Sequence, residues 1–263
     1  MFYTQNEKTI YDDYLKNGYF ICDIRNSIDF KKTDFAFKKT IAKELLVETK
    51  IVNDNFLNNF HKHISKKKIN SFRINIINKI CKKSSFKQSY YFLCKEILDL
   101  IVGNELVMQK NINLSIQLPK DQNSLLSIHS DTLSGDSSFE VVAWLPFVDC
   151  YKTKSMYILN PKDSQKLHEK MKSKKIDLSH KKIFNLVKNK VKFIKIKKGQ
   201  VLIFNQNLFH GNVVNMTNET RWSMNCRFKS LFSPYKNKLF AEFFEPINTK
   251  PATIDGINFD LDK

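Results

Sequence analysis

The hydrophobic pattern changes period part-way along the chain. In FAFKKTIAKELLVE (35–48), NDNFLNNFHKHI (53–64), INSFRINIINKICKK (69–83) and SFKQSYYFLCKEILDLIVGN (85–104), apolar residues recur at three- and four-residue steps. That spacing predicts helices with one buried face; in the last of them Ser85 is a candidate N-cap and Gly103 a candidate stop. NGYFICDI (17–24) places an apolar run after a glycine and predicts a short strand ahead of the helices. From residue 111 the runs shorten and become β-rich: NINLSIQLP, SLLSIHSD, FEVVAWLPFVDC, SMYILNP, VKFIKIKKGQVLIFN and RWSMNCRFKSLF, separated by Pro, Gly, Asn or Asp. A lysine-rich helical insertion at about 163–190 interrupts them. The order predicts a single domain over 1–263 with a mainly β core and an α layer. The helical layer covers 1–105, a jelly-roll or other double-sheet sandwich of the cupin kind covers 106–235, and a weakly patterned tail over 236–263 wraps the surface.

Composition narrows the class. At 42% hydrophobic and 13% aromatic residues, the chain has ample material for a packed core. It contains no uninterrupted apolar stretch of about 18 residues, so no membrane span is expected. The N-terminal MFYTQNEKTIYDDYLK is polar and acidic, unlike a secretory signal. Cys22, Cys81, Cys94, Cys150 and Cys226 form no CxxC pair and are odd in number, which fits a reducing cytoplasm.

The net charge of +18 raises the question of nucleic acid. Only four of the 44 basic residues are arginines (Arg25, Arg73, Arg221, Arg227), and bidentate reading of bases and phosphates favours the arginine fork. Solvated lysine faces account for most of the charge, no nucleic-acid partner is expected, and an anionic small molecule such as a nucleotide-sugar or an acidic glycan would be attracted.

Three motifs carry chemistry. His129-Ser130-Asp131 ends an apolar run, and on a strand residues i and i+2 share a face, so an imidazole and a carboxylate reach one metal together. Alone the motif is weak, since about half an H-x-[DE] match arises by chance in such a chain. His210, in GQVLIFNQNLFHGN, supplies a second imidazole from a separate strand. Two His and one carboxylate leave three positions open on an octahedral iron(II), whereas a zinc hydrolase would add a third His or an HExxH glutamate. The third motif, Arg221-Trp222-Ser223, puts a guanidinium and a hydroxyl on one strand face, a receptor for a small carboxylate. Arg227 shares that parity and is a candidate to serve instead of Arg221 or to assist it. His61 and His63 do not share a helix face and are read as surface or packing residues; His168 and His180, in the insertion, are read as surface residues.

These residues resemble the signature of the iron(II)- and 2-oxoglutarate-dependent oxygenases: H-x-D, a distal His, then an Arg about ten to fifteen residues on, often as R-x-S. The stretch IHSDTLSGDSSFEVVAWLPFVDC…SMYIL is similar to phytanoyl-CoA-dioxygenase-like enzymes of bacterial carbohydrate-biosynthesis clusters. The resemblance covers about 106–232. It implies a double-stranded β-helix, with His129, Asp131 and His210 as iron ligands and Arg221 and Ser223 on the 5-carboxylate of 2-oxoglutarate. It further implies consumption of O2 and 2-oxoglutarate to succinate and CO2 while a substrate C–H bond is oxidised. Halogenases of this family lack the carboxylate, so Asp131 favours hydroxylation or a related oxidation. Gln117 and Asn212 are then candidate contacts of the co-substrate, and Trp144, Glu140 and Tyr157 candidate substrate residues. Two other classes compete: a catalytically silent cupin-like sugar-binding protein and a lysine-rich nucleic-acid-binding protein.

Overall fold

A computed structural model describes residues 2–173 and 179–259. The N-terminal half is helical around one strand: α1 (Gln5–Asn17), β1 (Tyr19–Asp23), α2 (Ser27–Leu45), α3 (Asp54–Asn58), α4 (Ile69–Cys81) and α5 (Ser84–Ile101). The remainder is β2 (Leu106–Gln109), β3 (Asn113–Gln117), β4 (Val141–Pro146), β5 (Tyr157–Ile158), α6 (Pro161–Lys172), α7 (His180–Val187), β6 (Lys192–Phe193), β7 (Gln200–Asn205), β8 (His210–Gly211), β9 (Arg221–Ser230), β10 (Phe244–Asn248) and α8 (Pro251–Asn258). All pairings are antiparallel. The large sheet runs β1-β7-β4-β9-β2-β10, with β3 also on β9, and the small sheet runs β6-β5-β8.

The register explains how one sheet serves two purposes. β9 is ten residues long and holds β4 on one side and first β3, then β2, on the other. Its even-numbered residues Trp222, Met224, Cys226 and Phe228 are buried and apolar and belong to the core shared with the helices. Trp222 meets Phe37, Phe60 and Phe72 edge-on, and its indole N–H donates to the Leu57 carbonyl at 2.9 Å. The odd-numbered residues, Arg221, Ser223, Asn225 and Arg227, are polar and face the other way. This period of two turns one face of β9 to the helical layer and makes its opposite face polar.

Several sequence expectations are corrected. The helix expected over 53–64 breaks after α3 into a 3-10 turn at Phe60–Lys62, where the Asn59 amide donates to the Asn55 carbonyl and side chain and competes with helical bonding. The run before His129 is not a strand: Asp121 accepts from the Asn123 N–H and the Ser124 hydroxyl, forming a turn, and Leu125 and Leu126 stay exposed. The tail does not merely wrap the surface, because β10 pairs with β2, and α8 is tied back by Glu105, which accepts from the Lys250 N–H and the Thr253 hydroxyl.

The insertion comprises α6 and α7, and its residues 174–178 lie outside the described residues. It is less solvated than its lysines suggest: Leu167, Ile183 and Val187 form a second apolar cluster with Ile128, Tyr157, Leu159 and Phe209 under the small sheet. His168 is correspondingly half-buried, bonded through Nε2 to the Asn207 carbonyl at 2.8 Å and packed on Phe209. His180 is exposed, His63 stacks on Phe56, and His61 bonds Thr220, as expected of surface or packing residues. Among the described residues no helix is long and apolar enough to cross a membrane.

Candidate metal centre and its cavity

His210 does not end the apolar strand β7. The chain turns after Asn205 and crosses to the small sheet, where His210 opens β8 opposite Ile158. There it forms an isolated bridge with His129: the His129 N–H donates to the His210 carbonyl at 3.0 Å and the reverse bond is 2.8 Å. Ser130 follows in extended conformation (φ −119°, ψ 130°) and donates to the Gln206 carbonyl at 3.0 Å, which pins the segment. Asp131 opens a 3-10 turn instead of continuing a strand. The i, i+2 geometry survives across this extended residue, and Asp131 comes up beside both imidazoles.

One ligand atom from each of His129, Asp131 and His210 lies within 4.8 Å of the other two. The His129 Nε2–Asp131 Oδ1 distance is 3.6 Å, and the His210 Nε2–Asp131 Oδ2 distance is 3.9 Å. Each Nδ1 lies against a backbone carbonyl, His129 against Ser127 at 2.7 Å and His210 against Leu208 at 2.9 Å. An Nδ1–H donated there fixes the tautomer and leaves the Nε2 lone pair aimed at the shared point, the orientation a metal needs. Burial pulls His210 down to about 4, so it is neutral and ready to ligate at neutral pH. Burial also works against ionisation of Asp131, but the adjacent His129 imidazole and the Arg227 guanidinium outweigh it and hold the carboxyl well below its ordinary range.

Gly211 is required by close approach. A Cβ there would lie 2.6 Å from Tyr157 Oη and 2.8 Å from the Leu126 carbonyl oxygen, which is backbone and cannot swing aside. Gly211→Ala is therefore expected to push β8 away from His129, lowering stability by about 1–3 kcal/mol and weakening divalent-metal binding. Thermal melts with and without added metal would show both effects; an unaltered metal-induced shift in Tm would mean that β8 tolerates the displacement.

The triad lines a cavity of about 730 Å³ between the two sheets, with Trp144, Met156, Phe204, Asn212, Arg221 and Asn225 among its walls. The two arginines differ. Arg227 Nη2 donates to Asp131 Oδ1 at 3.1 Å and Nη1 to Gln109 at 3.3 Å, while Nε lies 3.7 Å from Asp136. It is committed to orienting the carboxylate of the triad, which corrects the expectation that it assists Arg221. Arg221 is buried, donates Nη2 only to the Ser115 hydroxyl at 2.9 Å, and meets no carboxylate among the described residues. Its Nε and the hydroxyl of Ser223 have no hydrogen-bond partner there. Burial lowers the guanidinium to about 10, still cationic at neutral pH.

The weaker candidates separate. Trp144 lines the cavity. Asn212 does too, but its amide holds the 124–126 loop, accepting from Leu126 N–H at 2.6 Å and donating to the Ser124 carbonyl at 3.3 Å. Gln117 pairs with Arg221 across the β3–β9 ladder, donates to the Val213 carbonyl at 2.6 Å and leaves its Oε1 unpartnered. Glu140 and Tyr157 do not line the cavity. Glu140 is buried and accepts from the Ser137 N–H and the Gln206 amide, and Tyr157 packs against Phe184 and Phe193 under the insertion. Glu140 and Trp144 share parity in FEVVAWLPF, but β4 begins only at Val141 and Glu140 belongs to the preceding turn. Ser115 and Asn113, opposite Ser223 and Asn225, complete the polar column; the alternation in NLSIQ carries the signal for both.

No protein-family model matches the sequence, and no curated protein matches it. Solved structures do. The non-heme monooxygenase ThoJ in its nickel complex is 11% identical with a TM-score of 0.52, covering 93% of this chain and 85% of that one. HygX from Streptomyces hygroscopicus with iron bound is 12% identical with a TM-score of 0.50, covering 89% of this chain and 90% of that one. The chain has the fold of these non-heme enzymes.

Proposed function

We propose that the protein is an iron(II)- and 2-oxoglutarate-dependent oxygenase with a double-stranded β-helix core. His129, Asp131 and His210 would hold the metal, and Arg221 with Ser223 the 5-carboxylate of 2-oxoglutarate. The observation that carries the reading is Arg221: a buried cation without a carboxylate partner among the described residues, on the wall of the cavity that the triad lines. Burying an unpaired guanidinium is costly, and a carboxylate arriving from solution removes the cost. The donor set fits iron(II): two imidazoles and one ionised carboxylate on one side, with positions left for co-substrate and O2. Bound there, the metal and 2-oxoglutarate supply the oxidation of a substrate C–H bond, with succinate and CO2 as co-products.

The chain's own residues prepare that chemistry. Arg227 keeps Asp131 ionised and oriented. Phe204, edge-on to His210 at 4.9 Å, together with Trp144 and Met156 gives the cavity apolar walls that exclude water from the reacting carbon. The substrate we assign is a carbohydrate or nucleotide-sugar, hydroxylated in surface-glycan biosynthesis. The resemblance of residues 128–159 to carbohydrate-cluster oxygenases supports it, as does a wall that combines an indole with Asn113 and Asn225.

Anaerobic titration of apo-protein with iron(II) and then 2-oxoglutarate is expected to produce the visible charge-transfer band of the chelate. Folded, metal-replete protein without the band and without 2-oxoglutarate binding would leave a cupin-like sugar-binding protein as the better account.

A further inference from the structure

The cavity carries more positive charge than the proposed cofactors use. Besides the triad, its charged lining consists of Lys66, Lys67, Arg73, Arg221 and Arg227, and Asp131 is the one carboxylate. Arg227 is paired with Asp131, and Arg221 is accounted for by the co-substrate. Iron(II) and the 2-oxoglutarate dianion cancel each other, so loading the site leaves the excess in place. The surplus sits on one wall, at the start of α4 and the segment before it.

The bonding of these three cations marks them as uncommitted. Lys66 Nζ reaches the Lys120 carbonyl at 3.2 Å. Arg73 donates to the Leu114 carbonyl at 3.3 Å and to the Asn70 side chain at 2.8 Å. All these acceptors are neutral, and no ion pair joins Lys66, Lys67 or Arg73 to any acid among the described residues. Lys154 and Lys38, by contrast, are matched by acids, Lys154 by Glu219 and Lys38 by Asp34 and Asp54. Arg73 is half-buried and held at both Nη atoms, so its fork is oriented before any ligand arrives.

We propose that Lys66, Lys67 and Arg73 form the subsite for a phosphoryl group on the substrate, so that the molecule oxidised is a soluble phosphate ester or diphosphate. This deepens the oxygenase reading and rests on it for the chemistry, but not for the anion site. Three cations on one wall favour a multiply charged anion over a single carboxylate, and a phosphoryl group carries about −1.5 to −2 at neutral pH. An oriented guanidinium beside two mobile ammonium groups gives both direction and charge for such a group. With its phosphoryl end held there, the substrate's uncharged part extends into the same cavity toward the triad and the Trp144 wall.

The test uses metal-free protein without 2-oxoglutarate, so it reads the subsite independently of the iron chemistry. Inorganic phosphate, pyrophosphate and uridine diphosphate are titrated by calorimetry into wild type, Lys67→Glu, Lys66→Ala/Lys67→Ala, Arg73→Lys and Arg221→Met. Expected are binding of pyrophosphate or uridine diphosphate that weakens with added salt, a loss of about tenfold or more in Lys67→Glu and the double variant, and retention in Arg221→Met. Because Lys66 and Lys67 are exposed, these variants fold even if Arg73→Lys does not. A preference for uridine diphosphate over pyrophosphate identifies a nucleotide-linked substrate, and equal binding identifies a simpler phosphate ester. Absence of binding by all three anions overturns the proposal, as does binding that Arg221→Met abolishes and the lysine variants spare. Loss of the iron–2-oxoglutarate band with intact, lysine-dependent pyrophosphate binding would instead remove the oxygenase reading and leave the anion site standing.

Discussion

Replacing Arg221 with methionine is expected to lower the affinity of the iron-loaded protein for 2-oxoglutarate about 100- to 10,000-fold while leaving iron binding intact. Charge-assisted hydrogen bonds contribute about 1.5–3 kcal/mol each, a guanidinium gives a carboxylate two of them, and each 1.4 kcal/mol is a factor of ten. The same substitution should not destabilise the apo-protein. In the wild type a buried cation faces the cavity with one neutral acceptor, Ser115, and an unpartnered Nε. Methionine of comparable length removes that desolvation cost, so the apo Tm should hold or rise. Loss of co-substrate together with gain of stability is the mark of a ligand-binding charge, because a structural ion pair would give loss of both. Unchanged 2-oxoglutarate affinity, followed in the chelate band or by calorimetry, would sink the assignment of Arg221.

The contrast between Arg221 and Arg227 shows what a single sequence can and cannot say. The alternation in RWSMNCRF makes legible that Arg221, Ser223 and Arg227 share a face and that Trp222 does not, because a strand's period of two is a local property. Which arginine already has a counter-ion is not local. It depends on a 3-10 turn at Asp131 and on Gln109 from β2, neither of which the spacing encodes. The triad is legible for the opposite reason: a metal can join distant segments, so residue type and approximate spacing suffice even where the assigned secondary structure is wrong. His129 and His210 meet although neither ends the long strand expected of it.

The helical half is readable as helices, through periodicity, but its contribution to the cavity is not. Lys66, Lys67 and Arg73 look like three more basic residues in a chain with 44 of them. Their distinction is a shared wall on which none has an acid partner among the described residues, and only packing reveals it. The β10 strand escapes the pattern because FEPIN carries a proline and a register shift, and an edge strand tolerates both where an internal one would not.

Asp131→Asn is expected to fail twice, and the two failures have different causes. Iron(II) affinity should fall by at least about 100-fold, since the neutral amide forfeits the only anionic donor of the triad. The apo-protein should also lose about 3 kcal/mol or somewhat less, the low end for breaking a buried pair, because Arg227 keeps partial compensation from Asp136. The pH dependence separates the second failure from a packing defect. The Asp131 carboxyl is held below its ordinary value, so its contribution is fully present above pH 3.8 and is lost as pH falls through the folded value. Wild-type and variant stabilities should therefore differ most at neutral pH and converge in acid. A constant difference across that range would mean that the side chain matters by shape and that its pairing with Arg227 contributes little. Restoration of apo stability in Asp131→Asn/Arg227→Met, without restoration of iron binding, would show that the arginine serves the carboxylate and that the carboxylate serves the metal.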